Sequence, residues 1–222
     1  MAIHFSVKNL IDLKEEVNKK INDLNISNYT PNIIAVSKTF SIDKIKPLLD
    51  YGHLHFGENK VQEALDKWTV EKKQNHKINL HMIGRLQTNK VKLAVKLFDY
   101  IHSVDSIKLA KKIAEEQNKI KKNIKLFLQV NIENEQQKAG IDINQAAELL
   151  KECLNLKLTV LGLMCLPPIN KPVNDYFIKL KQKNDELKLN SMSMGMSGDY
   201  LEALIFKSDF LRIGTKIFGN RY

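Results

Sequence analysis

The chain alternates between short apolar runs and amphipathic segments, and this alternation limits the possible folds more than any other feature. The apolar runs have the length and the β-branched content of buried strands. Eight of them fall near residues 33–37, 54–57, 80–84, 100–103, 126–131, 160–165, 191–195 and 210–213. The segments between them have helical periodicity, as in residues 107–120, where Leu109, Ala110 and Ile113 share one stripe. Eight strand-helix units predict an α/β fold, a (β/α)8 barrel of the TIM type.

An additional amphipathic stretch over residues 7–24 precedes the first strand and predicts an extra N-terminal helix. A doubly wound open sheet is the alternative architecture, but it usually has fewer strands for this length, and no GxGxxG motif opens a helix. No linker rich in proline, glycine or serine interrupts the chain. We therefore expect residues 1–222 to form a single barrel domain.

Lysine supplies most of the formal net charge of +10, and acidic residues are mixed among the lysines. Because no basic cluster interleaved with aromatic residues is present, a solvated surface is favoured over a nucleic-acid partner. Cys153 and Cys165 have neither disulfide-framework nor metal-ligand spacing. The sequence also contains no signal-peptide core and no apolar run of membrane-spanning length. These features predict a cytoplasmic protein without a membrane partner.

Lys38 ends the first predicted strand, shortly before a predicted helix start at Ser41. Alternation along a strand places Ile34, Val36 and Lys38 on one side, so we expect the amine at the carboxyl end of the strand, on its apolar side. Desolvation there favours the neutral amine and makes it a usable nucleophile for an aldehyde. The alternative is a lysine whose stem covers the strand end while its amine reaches water.

Small and polar residues after the last two predicted strands form a candidate anion site. Ser197 and Gly198 follow the seventh strand, and Gly214 and Thr215 follow the eighth, each pair before a predicted helix. Backbone N–H groups, hydroxyls and a helix dipole favour an anion, and phosphate often binds in this region of such barrels. For Ser197 and Thr215, helix capping is an equally good interpretation. Further polar residues at the predicted strand ends are Glu58, Asn59, Arg85, Asp105, Gln129 and Asn131.

Arg212 lies two residues before Gly214, so its side chain is expected to face the mouth of the barrel. A nucleophilic lysine, a phosphate site and an inward arginine together suit pyridoxal 5′-phosphate. Its aldehyde would form a Schiff base with Lys38, and Arg212 would meet its pyridine nitrogen.

Ordered motifs extend this interpretation over nearly the whole chain, from about residue 33 to the C-terminus. They occupy residues 35–39, 56–63, 81–90, 102–106, 129–132, 138–140, 162–164, 193–200 and 212–219. In these motifs the chain resembles the pyridoxal phosphate homeostasis protein family, which is related to the N-terminal barrel of alanine racemase.

The resemblance implies a monomeric barrel of fold-type III that binds pyridoxal phosphate through its strand-end lysine. The cofactor-binding residues that it implies are Lys38, Asn59, Ser197, Arg212, Gly214 and Thr215. Asn59 would lie beside the cofactor ring, while the serine, the glycine and the threonine would hold the phosphate. Members of the family are regarded as managing intracellular pyridoxal phosphate and amino-acid balance, with no established turnover of their own.

The chain departs from the family pattern before its last strand, where Lys207-Ser208-Asp209 stands in place of the usual Gly-Ser-Thr. The departure predicts a different backbone shape in that loop. It also makes Lys207 a candidate for an additional positive charge near the phosphate.

An amino-acid racemase dependent on pyridoxal phosphate is the alternative function. Racemisation needs a second base on the opposite face of the substrate carbon. Racemases of this barrel type add a β-domain whose tyrosine reaches a partner's site, whereas this chain ends at Tyr222, soon after the eighth strand. Arg212 would donate to the ring nitrogen without protonating it, which weakens the ring as an electron sink. We therefore expect a non-catalytic carrier.

A metal-dependent hydrolase is a second alternative, suggested by the histidines. His53 and His55 begin the second strand, and His81 and His102 fall early in theirs. They are expected to point away from the barrel mouth, and no acidic ligand set completes a metal site.

Overall fold

The computed structural model describes residues 3–133, 139–168 and 171–220, and within these ranges a closed barrel of eight parallel strands lies at the centre. All eight predicted strands are present. They are β1 (Asn32–Val36), β2 (His55–Glu58), β3 (Asn79–Met82), β4 (Tyr100–Val104), β5 (Lys125–Asn131), β7 (Thr159–Cys165), β8 (Ser191–Met196) and β9 (Phe210–Ile213). A two-residue strand that the sequence did not predict, β6 (Ile141–Asp142), pairs with the end of β5 outside the ring.

The barrel closes because the first strand pairs with both the second and the last. Ala35 of β1 is in register with Phe56 of β2 on one side and with Ile213 of β9 on the other. The remaining neighbours in the ring also pair in parallel. Parallel pairing brings the carboxyl ends of all the strands to one rim, where side chains from distant parts of the sequence can meet.

Helices surround the barrel. They are α1 (Phe5–Asp23), α2 (Ile42–Asp50), α3 (Val61–Gln74), α4 (Val91–Leu97), α5 (Ile107–Lys119), α6 (Ala146–Asn155), α7 (Asn174–Glu186), α8 (Tyr200–Ile205) and α9 (Thr215–Phe218). The extra N-terminal helix is confirmed as α1, which packs against α2, α8 and α9. Since α8 and α9 have six and four residues, α1 supplies the length that these last helices lack. None of the described helices is long and apolar enough to cross a membrane.

The apolar core has two parts, separated by the barrel wall. The larger part lies between the strands and the helices, and the smaller one lies inside the barrel. The inner part contains Ile34, Tyr100, Phe127, Met164 and Phe210. Alternate residues of each strand enter one part or the other, which is why strands buried on both faces read as continuous apolar runs.

Candidate functional site

The six residues predicted as a binding site line one cavity at the carboxyl ends of the strands. They are Lys38, Asn59, Ser197, Arg212, Gly214 and Thr215. The cavity has a volume of about 920 Å³. Its wall is built by residues at or just after the ends of the barrel strands, as expected for a ligand site in a TIM-type barrel.

Lys38 lies two residues beyond the end of β1. Ile34 of that strand packs inside the barrel, and Val36 and Lys38 line the cavity. This is the side that the period of two predicted. The Lys38 side chain is half-buried, so it borders the cavity without being enclosed in the core.

A polar cluster, buried except for the partly exposed Glu63, lies on the helix side of the barrel wall next to Lys38. We call it the outer network, and it comprises Ser37, Glu58, Glu63, Lys67 and Trp68. Glu58 Oε1 accepts hydrogen bonds from the Ser37 hydroxyl at 2.7 Å and from the Trp68 indole at 2.9 Å. Lys67 Nζ lies 3.0 Å from the same oxygen and donates to the carbonyl oxygen of Ser37 at 3.0 Å. The side chains of Glu58 and Lys67 are 0% and 9% exposed, so this ion pair fixes the backbone before Lys38 from a nearly dry position.

The outer network also holds the backbone after Lys38. Thr39 has φ of +70°, a left-handed conformation that β-branched residues rarely adopt. The Glu63 carboxylate accepts the Thr39 N–H at 2.5 Å and a hydrogen bond from Lys67 at 2.8 Å. Although desolvation acts in the opposite direction, these bonds hold the pKa of Glu63 below its ordinary value. A charged carboxylate therefore anchors the strained residue that follows Lys38.

Asn59 lines the cavity and has a polar atom without a hydrogen-bond partner among the described residues. Its Oδ1 atom is buried and has no hydrogen-bond partner among the described residues. Its backbone is in tight contact with Gly84, because a Cβ atom on Gly84 would lie 2.4 Å from the Asn59 carbonyl oxygen. Only glycine fits there, which explains why Gly84 follows β3 at this point. An unsatisfied buried amide oxygen beside a cavity is typical of a position that meets a ligand.

Arg212 is buried at the base of the cavity, with 4% of its surface exposed. Its Nη1 donates to the carbonyl oxygen of Ser193 at 2.6 Å and to the Ser193 hydroxyl at 2.7 Å. Its Nη2 donates to the carbonyl oxygen of Cys165 at 2.8 Å. Burial lowers the pKa of Arg212, but a guanidinium stays charged in proteins. Of its five N–H donors, two have no acceptor among the described residues and remain for a ligand.

The candidate anion site joins the ends of β8 and β9. The N–H groups of Gly214 and Lys216 donate to the Ser197 hydroxyl oxygen at 3.3 and 3.4 Å. Thr215 begins α9, which is a single turn, so the macrodipole expected from the sequence is small. Binding of an anion there would rest mainly on hydroxyls and backbone N–H groups.

Several polar strand-end residues lie outside this cavity. Glu58 belongs to the outer network, because the next position along β2 faces the opposite side from Gly57. Arg85 and Asp105 line a neighbouring cleft of about 720 Å³. Gln129 and Asn131 of β5 do line the cavity.

The expectation that Lys207 adds charge near the phosphate is wrong. Lys207 is exposed, has φ of +57° and precedes β9, whereas the cavity is built from residues that end or follow the strands. The altered loop has a structural role instead, since the buried Ser208 hydroxyl donates to the carbonyl oxygen of Met194 at 2.8 Å.

Sequence reasoning missed two features of the site. One is the outer network, whose partners come from β2, from α3 and from the residue that follows β1. The other is a row of hydrogen-bonded histidines inside the barrel, in which His81 lies 3.0 Å from His55 and 2.9 Å from His102. The described residues contain no group of three histidine, cysteine, aspartate or glutamate side chains placed to hold a metal ion.

Comparison with known proteins adds independent findings. The family model described as alanine racemase, N-terminal domain, matches residues 18–221. The pyridoxal phosphate homeostasis protein of Pasteurella multocida is 32% identical over 228 residues, which cover 96% of this chain and 97% of that protein.

Solved structures show the same architecture. PipY of Synechococcus elongatus, solved with pyridoxal phosphate bound, is 32% identical with a TM-score of 0.79, and the match covers 91% of this chain and all of that one. An alanine racemase from Clostridium difficile is 14% identical with a TM-score of 0.68, over 92% of this chain and 56% of the racemase, which shows the shared barrel alone.

Proposed function

The chain belongs to the family of pyridoxal phosphate homeostasis proteins, built on the barrel of the alanine racemase N-terminal domain, and from this premise we propose that it holds pyridoxal 5′-phosphate on Lys38 as a carrier rather than turning over a substrate. The observation that carries the proposal is the convergence of the six cavity residues described above on one site.

The donors and acceptors of the cavity fit this cofactor. Pyridoxal phosphate supplies an aldehyde that condenses with a primary amine, together with a ring nitrogen that accepts and a dianion that needs donors. Lys38 offers the amine, Arg212 has two N–H groups without acceptors among the described residues, and Ser197 and Thr215 offer hydroxyls. The Oδ1 atom of Asn59, which has no partner among the described residues, is an acceptor available to a donor group on a ligand.

The outer network supports the role of Lys38 as the attachment point. Ser37 and Thr39 are its chain neighbours, and both are hydrogen-bonded to carboxylates of this network. Fixing the backbone on both sides reduces the conformational entropy that the lysine would lose on attachment.

Arg212 favours holding over catalysis. A guanidinium donates hydrogen bonds and has no proton to give up near neutral pH, so it leaves the ring nitrogen unprotonated. An unprotonated ring withdraws electrons less strongly from a substrate carbon. Arg212 therefore orients the ring while discouraging proton removal from a bound amino acid.

A racemase would also need a second base, and none is found among the described residues that line the cavity. The titratable side chains among its described lining residues are Lys38, Lys171 and Arg212. A hydrogen bond with Glu133 at 2.5 Å raises the pKa of Lys171, which keeps that amine protonated and unsuited to act as a base. With Lys38 occupied by the cofactor, no proton acceptor remains among these described lining residues.

The surface charges fit a small-molecule role better than a nucleic-acid one. Many lysines are paired with acids on the same helix, as Lys112 and Lys119 are with Glu115 and Glu116 in α5. Such pairs place lysines beside acids on solvated faces, unlike the clustered basic residues of a nucleic-acid site. We infer a cytoplasmic monomer that acts as one domain over residues 1–222.

Borohydride trapping tests the attachment point. After incubation with pyridoxal phosphate and reduction, the adduct should map to the peptide carrying Lys38 and be lost in Lys38→Ala. Lys171→Ala is the matched control, because it removes another cavity lysine and should keep the adduct. An adduct on Lys171, or one that survives Lys38→Ala, contradicts the proposal.

The phosphate site is tested by comparing ligands. Ser197→Ala and Thr215→Ala should each weaken pyridoxal phosphate binding about tenfold, as expected for a hydrogen bond to a charged group, and leave binding of unphosphorylated pyridoxal unchanged. An equal loss for both ligands would remove the phosphate role.

The carrier role is tested by proton exchange. Alanine and serine incubated in deuterated buffer with the loaded protein should keep their α-protons by NMR. Exchange at ordinary enzymatic rates that disappears in Lys38→Ala would instead establish the racemase.

A further inference from the structure

We propose that Ser193, His102, His81 and His55 form a one-directional hydrogen-bonded chain inside the barrel, which positions Arg212 for the ring nitrogen of the cofactor. We call this set the inner relay. The inference rests on the proposed function, because it assigns residues that act on the cofactor through Arg212.

The relay is continuous from the amino end of the barrel to the cavity. His55 Nδ1 lies 3.0 Å from His81 Nε2, and His81 Nδ1 lies 2.9 Å from His102 Nε2. His102 Nδ1 lies 2.8 Å from the Ser193 hydroxyl, which in turn receives a hydrogen bond from Arg212 at 2.7 Å. At its other end, His55 is half-buried and lines a cleft of about 300 Å³.

The stagger between neighbouring strands places the three histidines in one row. His55 is in register with Asn79, and His81 lies two residues further along β3. His81 is in register with Tyr100, and His102 lies two residues further along β4. Each step of two keeps the ring inside the barrel and moves it toward the cavity, which follows from the shear of a closed barrel.

Aromatic rings hold the imidazoles in their planes. Tyr100 stacks on His81 with a centroid distance of 4.3 Å, and Phe127 stacks on His102 at 4.5 Å. Phe210 packs near both histidines at 5.6 and 5.7 Å. Since His81, His102 and Ser193 are all 0% exposed, water does not compete for their polar atoms.

Arg212 sets the direction of every bond in the relay. A guanidinium only donates, so the Ser193 oxygen must accept from it, and the Ser193 hydroxyl proton is free to go to His102 Nδ1. His102 then carries its proton on Nε2 and donates to His81 Nδ1. His81 in the same way donates from Nε2 to His55 Nδ1. In the opposite direction, the Ser193 oxygen would accept twice and its proton would have no acceptor among the described residues.

Neutral histidines suit this arrangement. Burial lowers the pKa of His81 and His102 well below the ordinary value, and the charge of Arg212 adds to the effect on His102. A neutral imidazole has one N–H donor and one acceptor nitrogen. Each ring can therefore accept a hydrogen bond from the group before it and donate one to the group after it, so that all the bonds run the same way.

The relay holds the Ser193 oxygen in one orientation, as a hydrogen-bond acceptor for Arg212. Because His102 takes the hydroxyl proton, the Ser193 oxygen keeps a lone pair toward the guanidinium, and the Cys165 carbonyl oxygen holds the other nitrogen. These two contacts fix the plane of the guanidinium. The two N–H donors that remain are thereby aimed at a ligand in the cavity.

The tautomers can be measured without the cofactor. In the full chain labelled with ¹⁵N-histidine, long-range ¹H–¹⁵N correlation spectra at neutral pH should show His81 and His102 as neutral rings protonated on Nε2. A proton on Nδ1 of either ring, or a charged ring, would overturn the inference. This result stands apart from the Lys38 trapping experiment, which alone decides whether the cofactor is held there.

Two matched serine variants test the positioning role. Ser193→Ala removes the hydroxyl of the relay, whereas Ser103→Ala removes another buried hydroxyl from a barrel strand, one with no hydrogen-bond partner among the described residues. Ser193→Ala should shift the Nδ1 resonance of His102 and weaken pyridoxal phosphate binding about tenfold. Binding of an analogue with carbon in place of the ring nitrogen should be unchanged. Ser103→Ala should change neither.

Either of two outcomes would contradict this role: Ser193→Ala weakens both ligands equally, or it changes neither binding nor the His102 resonance. If Ser193→Ala fails to fold, the wild-type tautomers and Arg212→Gln remain as tests. Glutamine can accept as well as donate, so Arg212→Gln should allow a proton on Nδ1 of His102. An unchanged tautomer in that variant would show that Arg212 does not set the direction.

Discussion

The two buried polar networks lie on opposite faces of the same barrel wall and are built from opposite chemistry. The outer network, behind Lys38, is charged and centres on the Glu58–Lys67 ion pair. The inner relay, beneath Arg212, is made of neutral histidines and a serine. The outer network holds the chain neighbours of Lys38, which we assign to the aldehyde of the cofactor. The inner relay contacts Arg212, which we assign to the ring nitrogen.

The contrast between the charged outer network and the neutral inner relay shows where this fold tolerates buried charge. Lys67 keeps 9% of its side chain exposed and has two carboxylates within hydrogen-bond distance, so each outer carboxylate lies beside a cation. Inside the barrel, Arg212 donates to two carbonyl oxygens and to the Ser193 hydroxyl, which in turn contacts His102. A second positive charge there would be repelled by Arg212 and would lose its hydration, and the histidines avoid that cost by staying neutral.

The largest expected effect comes from breaking the outer ion pair. Lys67→Met leaves the buried Glu58 carboxylate without its cation, and such changes typically cost about 3–5 kcal/mol. We expect a loss of this size in the free energy of unfolding measured with urea. The control is Lys181→Met, which removes an exposed partner of Asp185 and should have little effect. Equal losses in the two variants would mean that the outer network is an ordinary surface feature.

Acid should weaken the inner relay through its histidines. The pKa values of His81 and His102 are lowered in the folded state, so below about pH 6.5 the unfolded chain binds more protons than the folded one. The free energy of unfolding therefore decreases as the pH is lowered. Between pH 7 and 5.5 each histidine should contribute a loss of about 1 kcal/mol. The slope should be shallower in His81→Leu, although this variant is less stable at pH 7.

Two further histidines bear on the measurement of this pH dependence. Burial also lowers the pKa of His53, to about 4. This histidine therefore also decreases the free energy of unfolding as the pH is lowered, and its effect extends to about pH 4. Replacement of the exposed His76 by asparagine should leave the wild-type slope. A wild-type unfolding free energy that stays constant between pH 7 and 5.5 would show that the histidines are not held neutral.

The smallest effect concerns the strained residue that the outer network anchors. Asparagine tolerates a left-handed backbone better than a β-branched residue does, so Thr39→Asn should raise the free energy of unfolding by about 0.5–1 kcal/mol. The unbranched Lys121 also has a positive φ, of +52°, and Lys121→Asn should give a smaller gain. If Thr39→Asn is destabilising, the threonine side chain makes a contribution that outweighs the strain at this position.

The barrel and the convergence of the six cavity residues could be predicted because they depend on local patterns. Apolar runs define strands, a period of two defines the inward side, and parallel strands bring their carboxyl ends to one rim. Lys38 and Arg212 could therefore be placed at the same mouth from sequence alone. The Lys207 expectation failed because it ignored the same rule, since that residue comes before its strand.

What the sequence by itself determined is the order of the strands and the residues that end them. Only the tertiary structure decided how those strands are staggered and which helix covers them. The stagger brings His55, His81 and His102 into one row, although 47 positions of the chain separate the first from the last. The packing of α3 on β1 and β2 places Lys67 against Glu58 in the same way. Both networks depend on register and helix placement, which are set by the closure of the whole barrel and not by any local run of residues.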